Sequence, residues 1–383
     1  MKPYSTLWTY LWDLVDDGIE ESVHFLKQEV RLDAISVATA YHTFQQLRPQ
    51  RPGRKLLISN TAAVYFQPDL SLYQDSCLRP YVAPLARQAN PLTRLANSCA
   101  AAGLDLISWT VCLHNSFLAE NYPRCAAQTA YGDNLSGSLC PGVDDVRAYI
   151  VALCRDLVAN YGVKRLELES CDFVGYGHAH YHIKDGVNLG SIGHYLYGLS
   201  FSEGCVQKAR DRGIDVDGLR AWVRQQLDPA FASGVPIEGN LQAFLDSHSD
   251  LAAFQEMRQE LVVSLVRQIK EATGVEVAFM GGGRRIAEVA DLLEILAYTP
   301  FPDQVGAQIS DALQHLDSAE RLVVGLQAYY PCANTSEELE ANVHRALALG
   351  IRQFSYYNYG IMPRPNFQWI RRCIEKGEGL SDG

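Results

Sequence analysis

The amino-acid sequence predicts an α/β fold of the (β/α)8 TIM-barrel class, with long insertions in its βα loops. Short β-rich runs alternate with amphipathic segments, and this alternation recurs eight times within 383 residues. Such a pattern is typical of parallel strands joined by helical crossovers. Eight strands in one continuous series is the count of a closed barrel. No Gly-x-Gly-x-x-Gly motif follows the first strand, which weakens a dinucleotide-binding open sheet as the alternative.

The predicted strands are short runs rich in β-branched and aromatic residues. In chain order they cover residues 6–11, 34–40, 104–111, 163–169, 275–280, 292–297, 322–326 and 353–356, with an extra strand at 55–59. Helices are predicted at 17–28, 84–102, 143–161, 201–227, 241–273 and 366–375. Gly103 and Gly162 end two of these helices, as glycine commonly does. Asp228–Asn240 contains proline and glycine and is expected to separate two helices.

The whole chain, residues 1–383, is predicted to form a single barrel domain, because barrels of this kind often reach this length once insertions are added. The insertions are expected at about 43–84, 116–141 and 183–250. Long loops in a compact domain are usually functional. These segments are therefore expected to shape the ligand site.

The composition is that of an ordinary soluble globular protein, with 48% hydrophobic and 20% charged residues. A net charge of -11 argues against nucleic acid and anionic membranes as partners, because polyanions would be repelled. The first residues lack the features of a signal peptide and no run approaches a membrane span, so we expect a cytoplasmic protein. The ten cysteines include no Cys-x-x-Cys pair and are expected to be reduced.

The functional residues of a barrel can be collected from the sequence, because the active site lies at the carboxyl ends of the strands. Those positions hold Trp12, Asp13, Tyr41, His42, Trp109, His114, Asn115, Glu167, Glu169, Asp172, Tyr298, Gln327, Tyr329, Tyr357 and Asn358. The set is rich in aromatic, amide, imidazole and carboxyl groups and contains no Lys or Arg. It suits a neutral, polyhydroxylated ligand, since aromatic faces cover sugar C–H surfaces while polar groups bind hydroxyls.

The stretch from Val163 to His182 carries the densest group of proton-transferring side chains. Its strand delivers Glu167 and Glu169, and the following loop contains Asp172, His178, His180 and His182. The alternating histidines would project to one side of an extended segment. Sugar binding or proton relay is one interpretation of these histidines, and a zinc or manganese site is another.

In SWTVCLHN, LELES and AFQEMRQELVVSLVRQIKEATG the chain resembles the glycoside hydrolase-like TIM barrels of uncharacterised bacterial proteins. The segment ESCDFVGYGHAHYHIKD is similar to members in which a strand-four glutamate precedes a His-rich loop. This resemblance implies that the acid/base is Glu169, at the end of strand four, with Glu167 one inward step deeper. It also implies a glutamate at the end of strand seven, where this sequence has Gln327 instead.

The missing strand-seven acid leaves the second carboxylate open. Asp13 follows strand one and is predicted to face Glu169 across the barrel mouth, at a separation that suits an inverting mechanism. Asp172 is the other candidate, unless it holds a loop histidine. A helix N-cap is the structural alternative for Asp13.

The leading hypothesis is a glycoside hydrolase acting on a small oligosaccharide or glycoside, with Glu169 and Asp13 as catalytic groups and no cofactor or metal. The predicted substrate-binding residues are Trp12, His42, Trp109, His114, Asn115, Asp172, His178, His180, His182, Gln327, Tyr329, Tyr357 and Asn358. One alternative is a metal-dependent hydrolase, isomerase or lyase that uses the His-rich loop, and another is a non-catalytic carbohydrate-binding barrel. A small carbohydrate is the expected partner, and the sequence leaves a homo-oligomer open.

Overall fold

A computed structural model describes residues 2–176 and 184–379, and within them eight parallel strands close into a barrel. The strands are β1 (Tyr4–Tyr10), β2 (Ala34–Tyr41), β3 (Asp105–Val111), β4 (Arg165–Glu169), β5 (Glu276–Met280), β6 (Leu292–Leu296), β7 (Leu322–Gln327) and β8 (Gln353–Tyr357). Each strand pairs in parallel with the next, and β1 pairs with both β2 and β8. The predicted fold class is confirmed.

Helices surround the barrel and fill the insertions. They cover Leu11–Asp17, Ile19–Phe25, Pro84–Arg87, Pro91–Ala102, Ser116–Asn121, Asp144–Tyr161, Gly190–Tyr197, Glu203–Arg210, Val216–Ser233, Leu241–Asp246, Ser249–Thr273, Arg284–Ala287, Pro302–Leu313, Ser336–Ala348 and Phe367–Gly379. A π-helix covers Leu26–Val30, and 3-10 turns cover Leu70–Tyr73, Pro123–Cys125, Ala319–Arg321 and Arg364–Asn366. No helix in 2–176 or 184–379 has the length and apolar character needed to cross a membrane.

Short antiparallel strands lie in the loops at the carboxyl end of the barrel. Phe44–Leu47 pairs with Leu56–Ser59, and Ala126–Gln128 pairs with Asn134–Leu139. Ala63–Val64 pairs with the end of β2. The extra strand predicted at 55–59 is therefore present, as one arm of a hairpin.

Several predicted helix boundaries are wrong. The segments 84–102, 201–227 and 241–273 were each predicted as one helix, and each is divided into two helices. The first helix was predicted at 17–28 but begins at Leu11, directly after β1. It ends at Gly18, which has a positive φ of 87°, and a second helix begins at Ile19. The helix Val216–Ser233 runs through Pro229 into the segment where a break was predicted. It tolerates the proline because Leu227 and Ala230 are buried on either side, and this packing outweighs the lost backbone hydrogen bond.

Two hydrophobic clusters share the long helix Ser249–Thr273. Its first half contributes Leu251, Phe254, Met257 and Leu261 to a cluster built mainly from the helices of the 183–250 insertion. Its second half contributes Val262, Leu265, Val266 and Ile269 to the cluster that joins the barrel to its helices. The insertion is thus anchored to the barrel by the same helix that carries part of its core.

The strand register sorts the barrel interior into layers. In a closed barrel of eight strands and shear of about 8, each strand is staggered by one residue relative to its neighbour, so alternate strands share a layer. Ser36 aligns with Ile107, and Ile107 with Arg165, so Glu167, two residues further on, lies level with Ser36. The same count along the other strands gives a layer of Ser36, Glu167, Glu294 and Ser355, which we call the polar ring.

Two further layers lie above the polar ring, toward the carboxyl ends of the strands. The first comes from the odd-numbered strands and contains Trp8, Trp109, Met280 and Gly325. Gly325 makes room for Trp8, since a Cβ at that position would lie 2.6 Å from the Trp8 ring. The second returns to the even strands and contains Glu169 on β4 and Tyr357 on β8. Because these strands are four apart in a ring of eight, Glu169 and Tyr357 lie on opposite sides of the mouth.

Candidate active site

Glu169 is the last residue of β4 and lies in the upper layer of the barrel. The indole Nε1 of Trp109 donates a hydrogen bond of 2.5 Å to its Oε2. Burial raises the pKa of Glu169 to about 7, against the opposing effect of the Trp109 hydrogen bond. A carboxyl in this setting exchanges its proton near neutral pH, as a general acid/base must. Glu169 and Trp109 are thus brought together as a unit.

Aromatic hydroxyls surround Glu169. The hydroxyl of Tyr10 lies 2.7 Å from that of Tyr357 and 3.1 Å from that of Tyr41. The ring of Tyr357 lies 6.0 Å from that of Trp109 in an edge-on arrangement. Burial is the main cause that raises the pKa of both Tyr41 and Tyr357, and the neighbouring Glu169 adds to it. We call Tyr10, Tyr41, Trp109, Glu169 and Tyr357 the mouth cluster.

Trp12 extends the aromatic surface of the mouth cluster toward the β2 loop. Its ring stacks on Tyr10 and on Phe44, with centroid distances of 4.5 Å and interplanar angles of 9° in both pairs. Its indole Nε1 donates to Oε1 of Gln46 at 2.7 Å. This packing buries Trp12 at one edge of the mouth.

Asp13 is held in a buried ion pair. Its Oδ1 lies 2.6 Å from Nε of Arg48, and its Oδ2 accepts a hydrogen bond of 2.8 Å from Gln46. Burial raises the pKa of Asp13 to about 6, although Gln46 and Arg48 act in the opposite direction. Gly360 packs directly on this carboxyl, since a Cβ there would collide with Oδ2. The partners of Asp13 belong to the loops after β2 and β8, and its catalytic role stays a prediction.

The polar ring places two carboxyl groups inside the barrel. Glu167 is fully buried, and its Oε2 accepts hydrogen bonds from Nε1 of Trp8, at 2.8 Å, and from the hydroxyl of Ser36. Glu294 is also fully buried, and Ser355, its neighbour in the polar ring, acts on its carboxyl as a hydrogen-bond donor. Burial raises the pKa of both, and that of Glu294 is raised further by Glu167. Burial therefore favours the protonated form of Glu294.

Several predicted substrate-binding residues have structural contacts of their own. Asn115 caps the helix Ser116–Asn121, because its Oδ1 accepts from the backbone N–H of Leu118 at 2.9 Å. Asn358 is fully buried, and its Oδ1 closes the turn after β8 by accepting from Gly360 N at 3.0 Å. Asp172 is exposed, and its Oδ1 accepts from the next backbone N–H. Substrate contact by these three residues is untested.

The remaining predicted residues lie around the rim. The rings of His42 and His114 stack with centroids 4.6 Å apart, which joins the ends of β2 and β3. Nε2 of Gln327 lies 3.4 Å from the hydroxyl of Tyr329 after β7. Gln327 therefore faces a tyrosine in the place where the resemblance implied an acid.

The predicted histidine loop is only partly described. His178, His180 and His182 lie outside the described residues, so their sugar-binding or metal-binding role stays a prediction. Within 2–176 and 184–379, no group of three or more His, Cys, Asp or Glu side chains is arranged to hold a metal ion.

Sequence reasoning missed the residues that face the barrel interior below the mouth. Glu294 interrupts the apolar run LLEIL, and Ser36 lies in the mainly apolar run AISVATAY. A lone carboxylate in the middle of a fully buried strand is a usable signal, because such residues are almost never buried without a reason. Which face it points to depends on the register, which only the structure provides.

Comparisons with known proteins show the fold. No family model matches the chain, and no curated protein matches it. The α-L-fucosidase isoenzyme 2 from Paenibacillus thiaminolyticus superposes with a TM-score of 0.60 at 12% identity, over 100% of this chain and 50% of that one. A β-galactosidase from Marinomonas ef1 gives 0.60 at 11% identity, over 99% of this chain and 60% of that one. The chain therefore shares the barrel fold of these two enzymes and spans only part of their length.

Proposed function

We propose that this chain is a glycoside hydrolase acting on a small oligosaccharide or glycoside, with Glu169 as the general acid/base. The observation that carries this proposal is the carboxyl at the end of β4, whose pKa burial raises to about 7. Glycoside hydrolysis needs a carboxylic acid that stays protonated long enough to assist the leaving oxygen. Glu169 meets this requirement, with Trp109 fixing its orientation.

The mouth around Glu169 suits an uncharged sugar. Trp12 and Phe44 extend the mouth cluster with rings that stack on Tyr10. Aromatic faces pack against the C–H face of a pyranose, while the tyrosine hydroxyls and Gln327 bind hydroxyl groups. The names of the two structural neighbours, a fucosidase and a galactosidase, agree with this proposal, although the likeness itself shows only the fold.

Turnover of aryl glycosides tests the proposal. Purified protein is incubated with 4-nitrophenyl glycosides of the common hexoses, deoxyhexoses and acetamido sugars in both anomeric configurations. We expect at least one to be hydrolysed by the wild-type protein, and turnover of the methyl glycoside of the same sugar, which has a poor leaving group, to be lost in Glu169→Gln. Full turnover in Glu169→Gln would refute the role of Glu169.

Binding measurements separate the enzyme from the non-catalytic alternative. Calorimetric titration with the same sugars is followed by long incubation and product analysis. Tight binding without product in the wild-type protein would favour a carbohydrate-binding barrel. Activity that requires added zinc or manganese would favour the metal-dependent alternative.

A further inference from the structure

The side of the barrel mouth opposite Glu169 is where a second functional group is expected. A glycosidase needs a second group on the other side of the anomeric carbon, as a nucleophile or as a base that activates water. The residue across the mouth in the same layer is Tyr357, on β8. Its ring packs against Trp109, the residue that also holds Glu169. The opposite side of the mouth is therefore occupied by a phenol.

The carboxyl groups that the sequence places at the strand ends have other contacts or lie at another level of the barrel. Asp13 has both oxygens engaged, by Arg48 and Gln46. Glu167 lies in the polar ring, below the layer that contains Trp8 and Trp109. Asp172 is exposed and bonded to its own loop backbone. The segment 177–183, with the sequence GHAHYHI, contains no Asp or Glu at all.

Tyr357 is a poor nucleophile in this setting. A tyrosine attacks as a phenolate, and burial together with the neighbouring Glu169 raises the pKa of Tyr357. Its hydroxyl contacts that of Tyr10 at 2.7 Å, and Tyr10 is another neutral phenol rather than a base. Glu169 could accept the proton of Tyr357 only by giving up its role as the acid. A neutral Tyr357 can nevertheless donate or accept a hydrogen bond.

We propose that the substrate supplies the missing nucleophile, and that it is a 2-acetamido-2-deoxy glycoside whose acetamido group is held by the Tyr357 hydroxyl. This inference rests on the proposed glycosidase function and specifies its substrate class. Substrate-assisted hydrolysis is an established route for glycosidases that lack a nucleophilic carboxylate. The absence of Lys and Arg from the strand-end set agrees with a neutral sugar.

The chemical steps balance without any further reactant except water. The acetamido carbonyl oxygen forms a bond to C1 as the bond from C1 to the leaving oxygen breaks, and Glu169 transfers its proton to that oxygen. The product is a bicyclic oxazolinium ion, whose positive charge lies between the Glu169 carboxylate and the aromatic faces of the mouth. Water then attacks C1, gives a proton to Glu169 and regenerates the acetamide. The anomeric configuration is retained.

Matched substrates test this inference on the wild-type protein. Internal attack requires the acetamido group to be trans to the leaving group, so β-configured gluco and galacto substrates are compared. We expect 4-nitrophenyl 2-acetamido-2-deoxy-β-glycosides to be hydrolysed at least about 10²-fold faster than the matching 2-hydroxy glycosides. Mono-, di- and trifluoroacetyl substrates should be progressively slower, because fluorine weakens the attacking oxygen.

The outcomes separate this inference from the proposed function. Equal hydrolysis of 2-hydroxy glycosides, with no dependence on fluorine, would overturn the inference and leave the glycosidase proposal standing. If the wild-type protein hydrolyses no glycoside, both this inference and the proposed glycosidase function are wrong. Neither outcome depends on a variant that must fold.

The Tyr357→Phe variant tests the role of the hydroxyl. We expect kcat on acetamido substrates to fall by about 10²-fold, the usual effect of removing one preorganised hydrogen bond to the reacting group. Tyr4→Phe is the matched control, because the Tyr4 hydroxyl bonds Asp105 at the other end of β1. Unchanged kcat in a folded Tyr357→Phe protein would show that Tyr357 does not hold the acetamido group.

Discussion

The polar ring and the mouth cluster hold carboxyl groups two residues apart on one strand, yet their surroundings differ. Glu167, in the ring, is bonded by Trp8 and Ser36 and has no access to solvent. Glu169, in the mouth, has one strong partner, Trp109, and phenols on its other sides. Depth along the barrel axis therefore separates a carboxyl held by hydrogen bonds in the interior from the one proposed to transfer protons at the mouth.

The largest effect is expected for Glu169→Gln on substrates with poor leaving groups. Loss of a general acid slows such reactions by about 10²–10⁴-fold, whereas aryl glycosides with acidic leaving groups should lose much less at the glycosylation step. Steady-state rates on paired alkyl and aryl glycosides give the measurement. Equal losses on both would contradict protonation of the leaving oxygen by Glu169.

Arg48→Met should lower the free energy of unfolding, because it leaves the buried Asp13 carboxylate without its cationic partner. Asp13 would keep only Gln46, and leaving such a charge unpaired destabilises proteins by about 3–5 kcal/mol. Arg51→Met is the control, because its ion pair with Asp17 is more exposed and worth about 0–1 kcal/mol. Urea unfolding of both variants provides the comparison, and equal stabilities would contradict the structural role of Asp13.

The pH dependence of stability should distinguish Glu169 from the rest of the barrel. Its folded pKa of about 7 lies above its ordinary value of 4.5, so folding favours the protonated form. Its contribution is complete below pH 4.5 and is lost as the pH rises toward 7. At about 1.4 kcal/mol per pH unit, the loss is about 3 kcal/mol.

Glu169→Gln should remove this part of the pH dependence. The free energy of unfolding is measured for both proteins between pH 4.5 and 8, and the difference between them isolates Glu169 from other titrating groups. Parallel curves would show that burial does not raise its pKa.

The smallest effect is expected within the polar ring. Ser36→Ala removes a hydrogen bond to the Glu167 carboxyl and should cost about 1.5–3 kcal/mol. Ser233→Ala is the control, because the Ser233 hydroxyl donates to the backbone carbonyl of Pro229 at the exposed end of a helix. It should cost less than about 1 kcal/mol, and the reverse order would show that the ring is held differently. Chemical denaturation of the two variants decides this.

The fold was predictable from the sequence because each barrel strand is a short buried run followed by a polar loop. The strand ends agree with the structure to within two residues, and Glu169 was placed correctly at the end of β4. The course of the helix through Pro229 was not predictable, since it depends on packing against the insertion core. Local sequence signals carry no information on such tertiary contacts.

The interior of the site was harder to predict than its rim. The rim residues follow strands and can be read from chain position, whereas Glu294 and Ser36 meet Glu167 only through the stagger of neighbouring strands. Likewise, the ion pair of Asp13 depends on Arg48, which lies in an insertion with no periodic pattern. Which carboxylates remain available for chemistry is therefore a property of the register and of loop packing.

The packing of the helix Ser249–Thr273 makes it a reporter of the order in which the two cores unfold. It is 25 residues long, about 37 Å, and its buried face changes from the insertion core to the barrel core between Leu261 and Val262. Amides in its second half should exchange with solvent only when the barrel unfolds globally. If the insertion unfolds before the barrel, the amides in the amino-terminal half of the helix should be less protected from exchange than those in the second half. Hydrogen exchange along this helix therefore shows whether the two cores unfold as one cooperative unit or as two.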